Sequence, residues 1–220
     1  MLKLKKSKEY AVITGDVIDS SSYSTVQREL INNTMQEIVT SLSSSTSDWV
    51  QYRGDSIQGI LSSPQQALRY LLLLKSKMKS IVFDDKQRGA IVDMRIAIGI
   101  GTIEIIGKDI ASSDGKAFQL SGRALDEMKG KNHTITFSKA WEEENSPWNV
   151  IMSLLDQIVH DWSSASAEVV HLLLKGKSDA EISEWLDVSR SAVSQRKKYA
   201  GWDAIEKTLL YFEDQFNTEE

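Results

Sequence analysis

The sequence predicts an α+β domain followed by an all-α domain. Three observations predict it. Tyr10–Ser20, YAVITGDVIDS, and Asp48–Leu61, DWVQYRGDSIQGIL, hold short apolar runs interrupted by glycine, the pattern of a buried strand and a hairpin. Within Ile91–Ile106, the apolar side chains Val92, Met94, Ile96, Ile98 and Ile100 alternate with Asp93, Arg95, Ala97, Gly99 and Gly101, which is strand periodicity. From Asn145 onward, the apolar residues recur only at helical spacing.

Composition bounds the function. With 220 residues, the chain is long enough for one ordinary domain and a small one. Its 41% apolar and 26% charged residues are those of a globular protein, and the absence of cysteine excludes disulfides and thiolate metal sites. The start, MLKLKKSKEY, lacks the apolar core of a signal peptide, and the longest apolar run, Tyr70–Leu74, is too short to span a bilayer. A cytoplasmic protein is expected. The net charge of −5 speaks against general nucleic-acid binding, so any such contact needs a local basic patch.

In chain order, the first strand is followed by a serine-rich turn and an amphipathic helix carrying Val26, Leu30, Ile31, Met35, Ile38, Val39 and Leu42. Ser43–Ser47 ends it as a loop. The hairpin turns at Gly54-Asp55. Ser63, Pro64 and Gln66 predict a capped start to the next helix, with Leu68, Leu71, Leu72 and Met78 inward. Phe83–Gly89 reads as a polar loop. Thr102–Ile106 reads as a further strand, or as the central strand continued after a bend. Asp114–Lys129 runs from a loop into a helix with Ala117, Leu120, Ala124, Leu125 and Met128 buried, stopped by Gly130. His133–Phe137 is a last short strand. Ser146-Pro147 opens a helix with Val150, Ile151, Leu154, Leu155, Ile158 and Val159. The serine-rich break at Ser163–Ser166 marks a boundary, dividing the chain into an α+β domain (1–144), a connector helix (145–164) and a helical domain (165–220).

The helical domain has the spacing of a helix-turn-helix. Asp179 caps its second helix, Ala180 is small against a partner, and Ile182 and Leu186 face inward. Val188 sits in the turn, Ser189 caps the third helix and Val193 packs it. Arg190, Ser191, Ser194, Gln195, Arg196, Lys197 and Lys198 then form a polar strip suited to DNA. Arg190, Ser191 and Gln195 suit base edges, while Arg196, Lys197 and Lys198 suit phosphates. The last helix, Trp202–Phe216, suits core packing or dimerisation.

Asp16 at a strand end and Asp55 at a hairpin tip are the candidate ligands for a hard divalent cation such as Mg²⁺ or Mn²⁺. The same residue types also serve as turn formers. Gly99 and Gly101 leave one strand face bare, for a bulge or for close approach of a ligand or another backbone. Gln119 and Arg123 lie one turn apart on one helix face.

These stretches resemble the class III nucleotide cyclase fold, a ferredoxin-like palm: YAVITGDVIDS its first strand, YRGDSIQGIL its hairpin, MRIAIGIGTI its central strand and GKAFQLSGRALDEM its transition-state helix. The resemblance implies Asp16, Asp55 and the Val17 carbonyl as metal ligands. It implies Gln119 and Arg123 as the catalytic pair, reaching across a homodimer. Asp19, Ser20, Gln51, Gly99 and Gly101 would lie against the nucleotide. Gln51 stands where the family has a purine-selecting lysine, Gln119 where it has asparagine, and Asp19 where it has glycine. Weak or absent cyclisation is therefore expected. Along nearly its whole length the chain is similar to the SatD family of bacterial proteins, through GDVIDS, GDSIQG, RIAIGIGTI, DGKAFQLSGRAL and VSRSAVSQR. The expected function is a ligand-responsive DNA-binding regulator. The alternative is an active nucleotidyl cyclase or transferase that dimerises through its helices. One antiparallel-rich sheet is expected over Tyr10–Phe137, with helices on one face and Asp16 near Asp55.

Overall fold

The structure, a computed structural model, describes residues 8–83, 91–105, 107, 110–131, 133–140 and 147–216. Nearly all of the loop expected over Phe83–Gly89 lies outside them, as do Ile106 and Ser146. Five strands form one sheet in the order β2-β3-β1-β4-β5: β1 (Glu9–Val17), β2 (Ser47–Tyr52), β3 (Ser56–Leu61), β4 (Met94–Thr102) and β5 (Ile135–Lys139). All neighbours are antiparallel except β4 and β5. With helices α1 (Thr25–Leu42) and α2 (Ala67–Lys79), the first four strands make a ferredoxin-like βαββαβ unit. Helix α3 (Lys116–Met128) is the crossover that lets β5 run parallel to β4.

Strand alternation decides what covers each face. Ala11, Ile13 and Val17 of β1 join Ile31, Met35 and Ile38 of α1 and the leucines of α2 in the main core. Tyr10 and Val12 point the other way and meet Ala117 and Phe118 of α3. The sheet is thus covered on both faces, which corrects the expectation of helices on one face alone. The small residues Ala97, Gly99 and Gly101 make the seat for α3 on the second face. A Cβ at Gly99 would stand 2.3 Å from the Ala117 carbonyl oxygen and 2.5 Å from the Ser121 nitrogen.

Local details also differ. The hairpin connection is three residues, Arg53 to Asp55, between the paired Tyr52 and Ser56, with Arg53 (φ 50°) and Gly54 (φ 84°) both left-handed. Ser63 makes no side-chain cap, because Pro64 opens a 3-10 turn ahead of α2 instead. Of the expected inward residues, Val26, Leu30, Val150 and Leu154 are exposed.

The helical part comprises α4 (Pro147–His160), α5 (Ser164–Leu174), α6 (Asp179–Trp185), α7 (Arg190–Tyr199) and α8 (Trp202–Gln215). The main core continues into it through Trp148, Leu155, Val170, Trp202, Ile205 and Phe212. Phe137 of β5 meets the rings of Trp148 and Phe212 edge-on at 5.7 and 5.6 Å. The Trp162 indole donates to the Ala200 carbonyl at 2.9 Å. Helices α6 and α7 carry a small core of their own against α5: Val169, Leu172, Ile182 and Val193, with Leu186 and Val188 beside them.

Candidate functional site

The C-terminal end of β1 gathers the charged residues. Asp16 stands opposite Ser56 of β3 and Arg95 of β4. Arg95 grips its carboxylate, Nε to Oδ1 at 3.0 Å and Nη2 to Oδ2 at 3.4 Å. The two side chains are only 17% and 21% exposed, so the ion pair answers a charge that would be costly alone. On the other flank is the hairpin tip. The Val17 N–H donates to the Asp55 carbonyl at 2.9 Å. A strand residue points its N–H and C=O to the same side, so the Val17 carbonyl also faces the hairpin. Ser20 donates to Asp55 Oδ2 at 2.7 Å and Ser56 to Oδ1 at 3.3 Å. Asp16, Val17, Ser20 and Asp55 therefore share one sheet end. Asp19 is exposed in the left-handed region (φ 51°), with its carbonyl accepting from the Ser22 N–H at 2.8 Å.

Gln51 is a brace. Its amide donates to Asn32 Oδ1 at 2.6 Å and to the Gly54 carbonyl at 2.9 Å, tying the hairpin to α1. Behind the site, the Ile18 N–H donates to the Asp93 carbonyl at 2.9 Å. The Asp93 carboxylate takes Lys75 at 2.6 Å and Lys79 at 3.2 Å. Burial pushes the Asp93 carboxyl up, but these two ammonium groups outweigh it and hold it below its ordinary value. Lys79 also donates to the His160 carbonyl at the end of α4, at 3.2 Å. On the same helix, Ser76 meets His171 of α5 at 3.2 Å.

Two groups of expected site residues fall elsewhere. Gly99 and Gly101 are buried under α3, so the close approach is by protein backbone and neither glycine is open to a nucleotide. Gln119 and Arg123 lie on the exposed face of α3, while Ser121 on its buried face meets Thr14 of β1 at 3.0 Å. Within one chain, the pair is turned away from the sheet that carries Asp16.

In the helical part, Ser178 caps α6, not Asp179: its hydroxyl accepts from the Glu181 N–H, and Glu181 accepts from the Ser178 N–H in return. Ala180 is exposed, because Ile182 alone of α6 is fully buried. Ser189 caps α7 through the Ala192 N–H. Arg190, Ser191, Ser194, Gln195 and Lys198 are exposed and Val193 is buried. Lys197 is paired with Asp179 at 3.2 Å, and Arg196 lies 3.9 Å from Glu168. Those two cations are partly neutralised within the chain, and Lys198 is the more open cation for a phosphate.

Oxygen ligands suit Mg²⁺ or Mn²⁺, and Asp16, Asp55 and the Val17 carbonyl offer them. Each carboxylate oxygen accepts one hydrogen bond and keeps a further lone pair. No cluster of three or more His, Asp or Glu side chains occurs among the described residues, so such an ion would complete its shell with ligand oxygens and water. Sequence reading missed Arg95, Asp93, Lys75 and Lys79. Arg95 and Asp93 were visible only as polar positions of an alternating strand, and strand register makes them partners of Asp16 and Ile18. No helix among the described residues is long and apolar enough to cross a membrane.

No family model matches the chain, and no curated protein does. Among solved structures, the chain is similar to the GGDEF domain of DgcB from Caulobacter crescentus in complex with c-di-GMP. Identity is 7%, covering 60% of this chain and 78% of that one, with a TM-score of 0.46. It is also similar to the active GGEEF domain of a diguanylate cyclase from Vibrio cholerae, at 11% identity over 63% of this chain and 86% of that one, with a TM-score of 0.45. A bacterial light-regulated adenylyl cyclase matches at 13% identity over 59% of this chain and 43% of that one, with a TM-score of 0.43.

Proposed function

We propose that this protein is a regulator that binds DNA through α7 and a phosphate-bearing nucleotide at the end of β1. The observation that carries the reading is the outer face of α7. Arg190, Ser191, Ser194, Gln195 and Lys198 stand exposed on a capped helix whose inner residue, Val193, is locked against α5 and α6. Base-edge donors and a phosphate-seeking cation on one rigid helix are what groove recognition requires. The overall charge of −5 makes non-specific binding poor, so affinity depends on a specific site and on a homodimer reading two half-sites. Residues 165–220 form the reading unit and α4 its link to the sheet.

The ligand half of the reading is supported by Asp16, Arg95, Ser20 and Asp55 at one sheet end. Arg95 supplies the fixed cation for a phosphate oxygen, and Ser20 a hydroxyl. Asp16, Asp55 and the Val17 carbonyl would hold Mg²⁺ or Mn²⁺, which would supply neutralisation of phosphate charge. The motif resemblance to SatD proteins agrees with a palm joined to a helix-turn-helix. Cyclising turnover is expected to be weak or absent, since Gln51 is engaged by Asn32 and Gly54.

The test is a selection from random duplexes at moderate salt, with and without Mg²⁺ and nucleoside triphosphates. A motif should be enriched. Arg190→Ala should relax sequence choice at about 1–3 kcal/mol if its base contact is bidentate. Lys198→Ala should weaken all sequences alike and flatten the salt dependence. In parallel, a nucleotide with Mg²⁺ should raise the melting temperature, and Asp16→Ala or Asp55→Ala should abolish that shift. A chain that enriches no motif under any of these conditions would not be a regulator of this kind.

A further inference from the structure

Four large apolar side chains of the helical part stand in water: Val150 and Leu154 of α4 and Leu210 and Tyr211 of α8, which are 62, 63, 59 and 48% exposed. Single exposed apolar residues are ordinary, but these are neighbours. Helices α4 and α8 run antiparallel, side by side. Trp148 at the start of α4 meets Tyr211 and Phe216 near the end of α8, with ring centres 5.4 and 5.8 Å apart. At the other end, Gly201 ahead of α8 approaches Ile158, whose Cγ2 lies 3.0 Å from where a Cβ would stand on the glycine. Leu154 lies one turn before Ile158, on the flank of α4 that meets α8, and Val150 one turn before that. A rise of about 1.5 Å per residue puts Val150 level with Leu210. The outward line of α8 carries Lys207, Leu210 and Asp214 at helical spacing, all exposed.

We propose that α4 and α8 form a docking face for a second copy of this chain, with the two α8 helices antiparallel about a two-fold axis between Leu210 and Tyr211. The charge order of α8 selects this occupant. Lys207 lies three residues before Leu210 and Asp214 three after Tyr211, so the axis brings each Lys207 level with Asp214 of the other copy. Two opposite-charge pairs then bracket an apolar centre of Leu210 and Tyr211 from both copies, with Val150 beside it. Glu206 comes level with Gln215, and Glu213 is already held by Arg69 at 2.8 Å, so no two carboxylates come level among the described residues of α8. The inference deepens the regulator reading, on which its use rests. The starts of the two α8 helices, where the α7 helices end, stand about 30 Å apart for a rise of about 1.5 Å per residue and helix axes about 9 Å apart. That is close to the roughly 35 Å between half-sites one DNA turn apart.

The test is analytical ultracentrifugation of the full chain without DNA. The wild type should sediment as a dimer at micromolar concentration. Lys207→Asp and Asp214→Lys should each weaken self-association about tenfold or more, because each turns two attractive pairs into two repulsive ones. An equimolar mixture of these two variants should dimerise again, since every pair across the two-fold then joins opposite charges. Leu210→Glu, a change at an exposed position checked by circular dichroism, should give a monomer. The proposal is overturned if the wild type is monomeric, if these changes leave the dimer intact, or if the mixture fails to restore it. A duplex selection that enriches no motif would end the regulator reading and leave this dimer standing. A monomer that enriches a motif would do the reverse.

Discussion

His171 shows how one buried side chain ties stability to pH. It sits on α5 with its Nδ1 3.2 Å from the Ser76 hydroxyl and 3.3 Å from the Leu73 carbonyl oxygen. Burial, aided by Lys175 and Lys77, pulls its pKa from 6.5 to about 4. The folded chain therefore holds this ring neutral where the unfolded chain protonates it. The contribution is fully present above pH 6.5 and is lost as pH falls from there to about 4, on the order of 3 kcal/mol in all. Urea midpoints across this range should fall with acidity, and His171→Leu should flatten that slope; an unchanged slope would place the ring in water. Arg95 teaches a related lesson. The places of Asp16 at a strand end and of Asp55 at a hairpin tip were legible in the sequence. The group that holds Asp16 lies 79 residues away and reaches it only through strand register.

At the scale of elements, α3 and β4 depend on two missing side chains. Ala97, Gly99 and Gly101 make a smooth track, and α3 lies on it so closely that no Cβ fits at Gly99. Gly99→Ala should push the helix off the sheet, costing at the upper end of about 1–3 kcal/mol. Gly122→Ala is the control, because a Cβ there meets nothing within 4 Å. Chemical denaturation of the two variants separates seat from surface; equal stability would mean that α3 adjusts freely. Most strands and helices were legible from period and punctuation, α7 among them with its Ser189 cap; of the strand expected after Thr102, the described residues form only an isolated bridge between Ile105 and Asp114. The Ser63 cap was not formed and Ala180 was not inward, because a 3-10 turn and a short seven-residue helix altered which positions point where.

At the scale of the whole molecule, α2 is the joint. Leu68, Leu71, Leu72, Leu73 and Leu74 are all buried, one side of the helix against the sheet and another against α5. Lys79 adds a polar tie from the β1 end, through Asp93, to the last turn of α4. Residues 1–163 produced alone would expose the α5 side of α2 and lose Ile205, Leu209 and Phe212 from the main core. The expected result is one cooperative thermal transition for the full chain and no comparable transition for the fragment. A fragment that melts cooperatively at the full chain's temperature would make the two parts independent.

By itself the sequence determined the α+β class, the order of the elements, the two aspartates and the polar strip of α7. Each of these rests on periodicity, caps and turn chemistry, which act over a few residues. The tertiary structure alone decided that Arg95 holds Asp16, that Gly99 and Gly101 seat a helix, and that Gln119 and Arg123 face outward. These outcomes depend on strand register and on which helix covers which face. Both are set by packing between segments far apart in the chain, where shifting a strand by one residue exchanges its two faces.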